Sequence, residues 1–110
     1  MVDGIFEKGD IVIIQCTPQA GHEQAGKRPA LVISNFVYNK YSGFAMVCPI
    51  TSTERKSPFH VKLDSSTKTQ GMILAEQVKS LDVRARKGTY AEKAPQEIVD
   101  EVDEIVKQSL

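Results

Sequence analysis

Phe59-His60-Val61-Lys62-Leu63-Asp64 alternates apolar and polar side chains over six positions. Successive side chains of an extended strand point to opposite faces. This period of two therefore predicts an antiparallel strand buried on one side, with Phe59, Val61 and Leu63 inward and His60, Lys62 and Asp64 outward. The same reading spreads in both directions. Upstream, residues 11–16 (IVIIQC) form a short β-branched run after the turn-like Lys8-Gly9-Asp10. Residues 30–34 (ALVIS) form a second run, and residues 44–50 (FAMVCPI) a third that is expected to end near Pro49. Downstream, residues 72–75 (MILA) follow Gly71, and residues 83–87 are a further strand candidate.

Polar stretches separate these runs. Residues 17–29 hold Pro18, Gly21, Gly26 and Pro29 without apolar periodicity and read as a long loop. Residues 51–58 (TSTERKSP) read as a second loop, and residues 35–43 as a short helix or turn. Near the end the period changes. Pro95 suits the first position of a helix. Ile98, Val99, Val102, Ile105, Val106 and Leu110 then recur at helical spacing, with acids on the other side. Short strands followed by one amphipathic helix imply a mainly β fold: a small twisted antiparallel sheet or barrel with a helix packed on it.

The 110 residues suit a single domain spanning 1–110. With 41% apolar residues there is material for one modest core. A domain this small buries a limited share of its surface, so self-association would help it. No stretch approaches the roughly 18 apolar residues that span a bilayer. The first ten residues lack the apolar core of a secretory leader, so the expected compartment is the cytoplasm. Cys16 and Cys48 each sit in an apolar run and read as reduced, buried thiols. With His22 and His60 they show no ligand spacing, so neither a metal nor another cofactor is expected.

The net charge is zero, but it is unevenly spread. From Glu92 to the end there are six acids against two lysines. Between Arg55 and Lys87 there are eight basic residues against three acids. A basic body beside an acidic helix could hold a polyanion on one face; the alternative is ordinary solvated charge.

Three segments carry chemistry. Gly21-His22-Glu23-Gln24-Ala25-Gly26-Lys27-Arg28-Pro29 gathers an imidazole, a carboxylate, an amide and two cations. Pro29 biases Arg28 toward extended geometry, and a guanidinium's planar fork matches a phosphate. Thr51 and Ser52 place two hydroxyls where a strand leaves the core. Threonines there also simply cap turns. Glu76 and Gln77 follow a short apolar strand; Glu76 could act as a base, orient Arg28 or sit in a structural ion pair.

Taken in order, "GD-I-V", "P-x-x-G-H-E-Q-A-G-x-R-P-A-L-V-I-S", "P-I-T", "G-M-I-L-A-E-Q-V-K-S-L-D" and "R-A-R" resemble the MazF/PemK/Kid toxins, from about Gly9 to Arg86. The terminal helix fits as well. The resemblance implies an SH3-like antiparallel β-barrel with a C-terminal helix, forming a homodimer. It implies a type II toxin that cleaves single-stranded RNA, chiefly mRNA, at short motifs. It also implies a cognate antitoxin that lays an acidic tail across the RNA groove. Arg28 matches the family's catalytic arginine and Thr51 its catalytic threonine. Glu23, His22 and Glu76 are the candidate proton-transfer groups. Gln24, Lys27, Ser52, Lys56, Gln77 and Lys79 surround them as candidate RNA contacts. Kid-type members pair an arginine with an aspartate where this chain has Leu74 and Glu76, so it follows the MazF branch.

Two other readings compete. A non-catalytic RNA-binding barrel of the same shape should need aromatics for base stacking, and the chain has four Phe, three Tyr and no Trp. A gyrase-targeting toxin of the CcdB type would not need Arg28-Pro29 together with Thr51.

Overall fold

The computed structural model describes residues 1–15, 26–54 and 56–110. Cys16, His22, Glu23, Gln24 and Arg55 lie outside the described residues. In chain order the elements are β1 (Asp10–Gln15), β2 (Lys27–Val32), α1 (Phe36–Ser42), β3 (Ala45–Thr51), β4 (His60–Lys62), β5 (Met72–Leu74), β6 (Lys79–Leu81), β7 (Thr89–Lys93) and α2 (Gln96–Gln108). Among the described residues the strands form one sheet in the order β4-β5-β3-β2-β1-β7, with β6 added to β3. Every strand pairing is antiparallel. The sheet is not closed, yet its order and two-sided burial are compatible with a barrel.

Both faces of the central strands are covered, which is why they read as continuous apolar runs rather than alternating ones. One face carries Ile11, Leu31, Cys48, Ile50 and Ile73 against Ile98, Val99 and Val102 of α2. The other carries Val12, Ile14, Ala30, Val32, Ala45 and Val47, packed with Phe6 and Val83. The helix keeps its expected apolar stripe, except that Leu110 is 98% exposed. Pro95 sits one place earlier than expected, as the N-cap, and its carbonyl accepts from Ile98 and Val99. Among the described residues no helix is long and apolar enough to cross a membrane.

Several boundaries move. Lys27, Arg28 and Pro29, expected in a loop, are the first half of β2, paired to Gln15, Ile14 and Ile13 of β1. The β2–β3 ladder runs only from Ala30↔Pro49 inward. Proline is tolerated in a strand where a ladder stops, and two prolines meet here. Nor does β3 end near Pro49. It runs on to Thr51 because its far edge takes a new partner, Ile50 and Thr51 pairing with Ile73 and Met72 of β5. Residues 83–87 are a turn and not a strand. Asp82 accepts from the Ala85 N–H at 3.0 Å, and Lys87 adopts a positive φ of 54°. The strands on either side, β6 and β7, were not anticipated.

Along β4 the alternation holds at Val61, Lys62, Leu63 and Asp64 and inverts before them. Phe59 is 47% exposed, while the His60 side chain is only 4% exposed. A hydrogen bond to Glu76, described below, explains the inward histidine. Residues 35–43 settle as α1, capped by the Asn35 side chain accepting from Tyr38 N–H at 2.9 Å and closed by Gly43 at φ 77°. Buried Asp10 is paired with Lys93 at 2.6 Å and accepts from Glu7 N–H at 2.8 Å, tying the chain's start to β7.

Candidate active site

Arg28 and Thr51 lie far apart in sequence, and strand register brings them to one place. The β2–β3 ladder pairs Val32 with Val47, Leu31 with Cys48 and Ala30 with Pro49. The ladder ends there, and Arg28 and Thr51 each lie two residues beyond its last pair, at the same end of the sheet. Alternation puts both on the face that holds Ala30 and Val47, the side turned away from α2. Were the register to continue, the two would be directly opposed, a spacing of about 5 Å between Cβ atoms in an antiparallel pair, within reach of a single phosphate. Arg28 is exposed and Thr51 half-buried.

Thr51 is held from two sides. Across the other edge of β3 it pairs with Met72. Its hydroxyl oxygen accepts from the Thr53 N–H at 3.2 Å. A hydroxyl has one proton and two lone pairs, so this contact orients the oxygen and leaves the O–H to donate.

The positive charge on this face is collected from several elements. A small cleft lined by Pro29, Ala30, Val47, Pro49, Lys79 and Arg86 adjoins the two residues. Lys79 projects from β6 opposite Val47. Arg86, from the turn after β6, donates to the Gln15 carbonyl at 3.1 Å, which fixes its guanidinium beside the end of β1. Lys27, Ser52, Lys56 and Gln77 are all exposed.

Glu76 and Gln77 owe their position to an interruption. β5 and β6 run along the same edge of β3, and the 3-10 turn Ala75–Gln77 breaks the ladder between them. A three-residue excursion of this kind lifts side chains out of the pleat. Glu76 takes a hydrogen bond from His60 at 3.0 Å. The contact uses Nε2, and Nδ1 is buried with no hydrogen-bond partner among the described residues. His60 is the residue that sequence reasoning missed. Its outward slot in the alternation argued against it. The β4–β5 hairpin sets His60 against Leu74, two residues before Glu76, and only that pairing exposes the contact.

Buried on the helix face, Cys48 has its thiol pushed up to about 12 by desolvation, reinforced by the charges of Asp103 and Glu76. It is a packing residue and is not a nucleophile at neutral pH.

Known proteins resemble the chain over most of its length. Residues 7–110 match the family described as PemK-like, MazF-like toxin of type II toxin-antitoxin system. The chain is 43% identical to the endoribonuclease toxin MazF of Escherichia coli K12 over 89 residues, covering 77% of this chain and 79% of that protein. It is 35% identical to the endoribonuclease PemK of Escherichia coli over 101 residues, 88% of this chain and 76% of that protein. Among solved structures, a chain of the MazE-MazF crystal structure (Form-II) from Deinococcus radiodurans superposes with a TM-score of 0.90 at 38% identity, covering 97% of this chain and 96% of that one. On sequence, fold and length of match together, the chain belongs to the PemK-like, MazF-like toxin family of type II toxin-antitoxin systems, whose named relatives are endoribonucleases.

Proposed function

We propose that this toxin is a metal-independent endoribonuclease that cuts single-stranded mRNA in the cytoplasm by using the RNA's own 2′-hydroxyl. A base removes the 2′-hydroxyl proton, and the new O2′–P bond forms as the P–O5′ bond breaks. The departing O5′ takes a proton. The products are a 2′,3′-cyclic phosphate and a 5′-hydroxyl. Arg28 neutralises the charge that builds on the phosphorane, and Thr51 donates to a non-bridging oxygen. Groups aimed at charge that develops in the transition state are worth more than groups that bind substrate alone. An arginine stays protonated and makes a poor base, so proton transfer falls to Glu23, His22 or Glu76. Gln24, Lys27, Ser52, Lys56, Gln77 and Lys79 hold the flanking strand.

One observation supports this reading: Arg28 and Thr51 each lie two residues beyond the last β2–β3 pair, at the end of the sheet where a cleft gathers Pro29, Pro49, Lys79 and Arg86. A homodimer of this chain, inhibited by a cognate antitoxin with an acidic tail, follows from the same reading. A basic face of this kind suits an acidic peptide as well as RNA.

The test is cleavage of a long single-stranded RNA in EDTA, with both product ends identified. Arg28→Ala should lose about 10²-fold or more in rate while its far-UV circular dichroism is unchanged. A folded Arg28→Ala protein with full activity would remove the arginine from the reaction. RNA binding without cleavage by the wild-type chain would favour a binding module, and gyrase inhibition without cleavage a CcdB-type toxin.

A further inference from the structure

A groove of about 480 Å³ opens beside Thr51, bordered by Ser52 and by Met72, the strand partner of Thr51. Its volume falls within the range of small-molecule sites. Met72 and Leu63, both nearly buried, give it an apolar floor. Its rim is polar: Glu54, Lys62, Asp64 and Gln70, all exposed. An apolar floor with a polar rim fits a flat ligand with an apolar face and hydrogen-bonding edges.

The charges say which part of a nucleotide this is. Lys62 is spent on Glu54, at 2.6 Å. Asp64 is held by the Ser66 N–H at 2.8 Å and by the Ser66 hydroxyl. The hydrogen bond from Lys62 holds the Glu54 carboxyl below its ordinary range, and the hydrogen bonds from Ser66 do the same for Asp64, so both are ionised at neutral pH. With two carboxylates against one paired lysine, the groove repels a phosphate. Ionised carboxylates only accept, so they select edges that donate. Adenine, cytosine and guanine each carry an exocyclic amino group; uracil carries two carbonyls and one N–H.

We infer that the groove walled by Glu54, Asp64 and Gln70 is a base-reading subsite for a nucleotide next to the cut, and that it admits an amino-bearing base and rejects uracil. The inference rests on the ribonuclease reading above, because it needs the scissile phosphate at Thr51.

The test uses the full-length chain, with Gln70→Ala and Glu54→Gln as variants. Both positions are on the exposed rim, and circular dichroism checks that both proteins fold. Cleavage sites are mapped on a randomised single-stranded RNA. In parallel, a randomised 2′-deoxy library, which contains uracil and cannot react, is sequenced after binding. The wild type should disfavour uracil at one position within two nucleotides of the cut, and each variant should relax that preference about tenfold. Both variants keeping the wild-type preference in both assays would overturn the subsite, as would a wild type indifferent to uracil at every position. Loss of the preference by the variants in the binding assay, with no cleavage by any protein, would uphold the groove as a base-reading site, overturn its place beside a cut and sink the ribonuclease reading.

Discussion

Gly71→Ala should damage this protein more than a glycine-to-alanine change at an open turn such as Gly43, and the structure says by how much. Gly71 has a φ of 131°, a region that side chains avoid. A Cβ placed there would overlap the carbonyl oxygen of Thr51 and come within 3.1 Å of its carbonyl carbon and 3.3 Å of Ile50 Cγ2. The oxygen belongs to backbone, so it cannot rotate away. Strain at such a φ costs about 1–3 kcal/mol, and overpacking adds about 1–3 kcal/mol. Gly43→Ala is the control. Its φ is 77° and no atom lies within 4 Å of the added Cβ, so it should lose only about 1–2 kcal/mol. The gap of about 2 kcal/mol corresponds to a difference of roughly 10 °C in melting temperature. Thermal unfolding by circular dichroism reads it, at matched protein concentration because self-association raises apparent stability. Activity should follow, since a shift of about 1 Å at a reacting group can cost 10²-fold. A Gly71→Ala protein that melts with Gly43→Ala and cleaves RNA at the wild-type rate would refute the argument that Gly71 seats Thr51.

Thr51→Val keeps the shape and removes the donor, and should lose about 10²-fold in cleavage rate, whereas Thr51→Ser should retain most of it; equal losses in single-turnover assays would assign Thr51 a packing role. Glu92 should make stability depend on acid pH. Burial raises its carboxyl, but hydrogen bonds from the Thr69 hydroxyl and the Thr69 and Lys68 N–H groups outweigh that and leave it below its ordinary value. The stability it contributes is complete above the unfolded carboxyl's pKa of about 4.3 and is lost as pH falls through the lower folded value. The difference in urea midpoint between wild type and Glu92→Gln should therefore be present at pH 7 and vanish toward pH 3. Cys48, with its thiol near 12, should resist a thiol reagent at pH 8 until the chain unfolds, and rapid labelling at Cys48 itself in the native protein, located by peptide mass spectrometry, would contradict its burial.

The sequence alone determined the elements whose signal is local. The helical period from Ile98 to Val106, the β-branched run beginning at Ile11 and the polar breaks all depend on neighbours within a few residues. Arg28, Thr51 and Glu76 were visible as chemistry-bearing side chains for the same reason, and the motif order supplied their kinship. Period-two reasoning failed where a distant partner intervened. His60 turned inward because Glu76, sixteen residues on, lay within hydrogen-bond distance of its ring. Residues 83–87 curled because Asp82 capped them, and Lys27–Pro29 became strand because β1 offered a ladder. Only the tertiary structure decided that β3 changes partners along its length and that Arg28 and Thr51 come to the same end of the sheet. A local pattern tells a side chain which face it prefers. Which strand lies alongside, and in what register, is settled by the burial of both sheet faces at once, and no short window of sequence contains that.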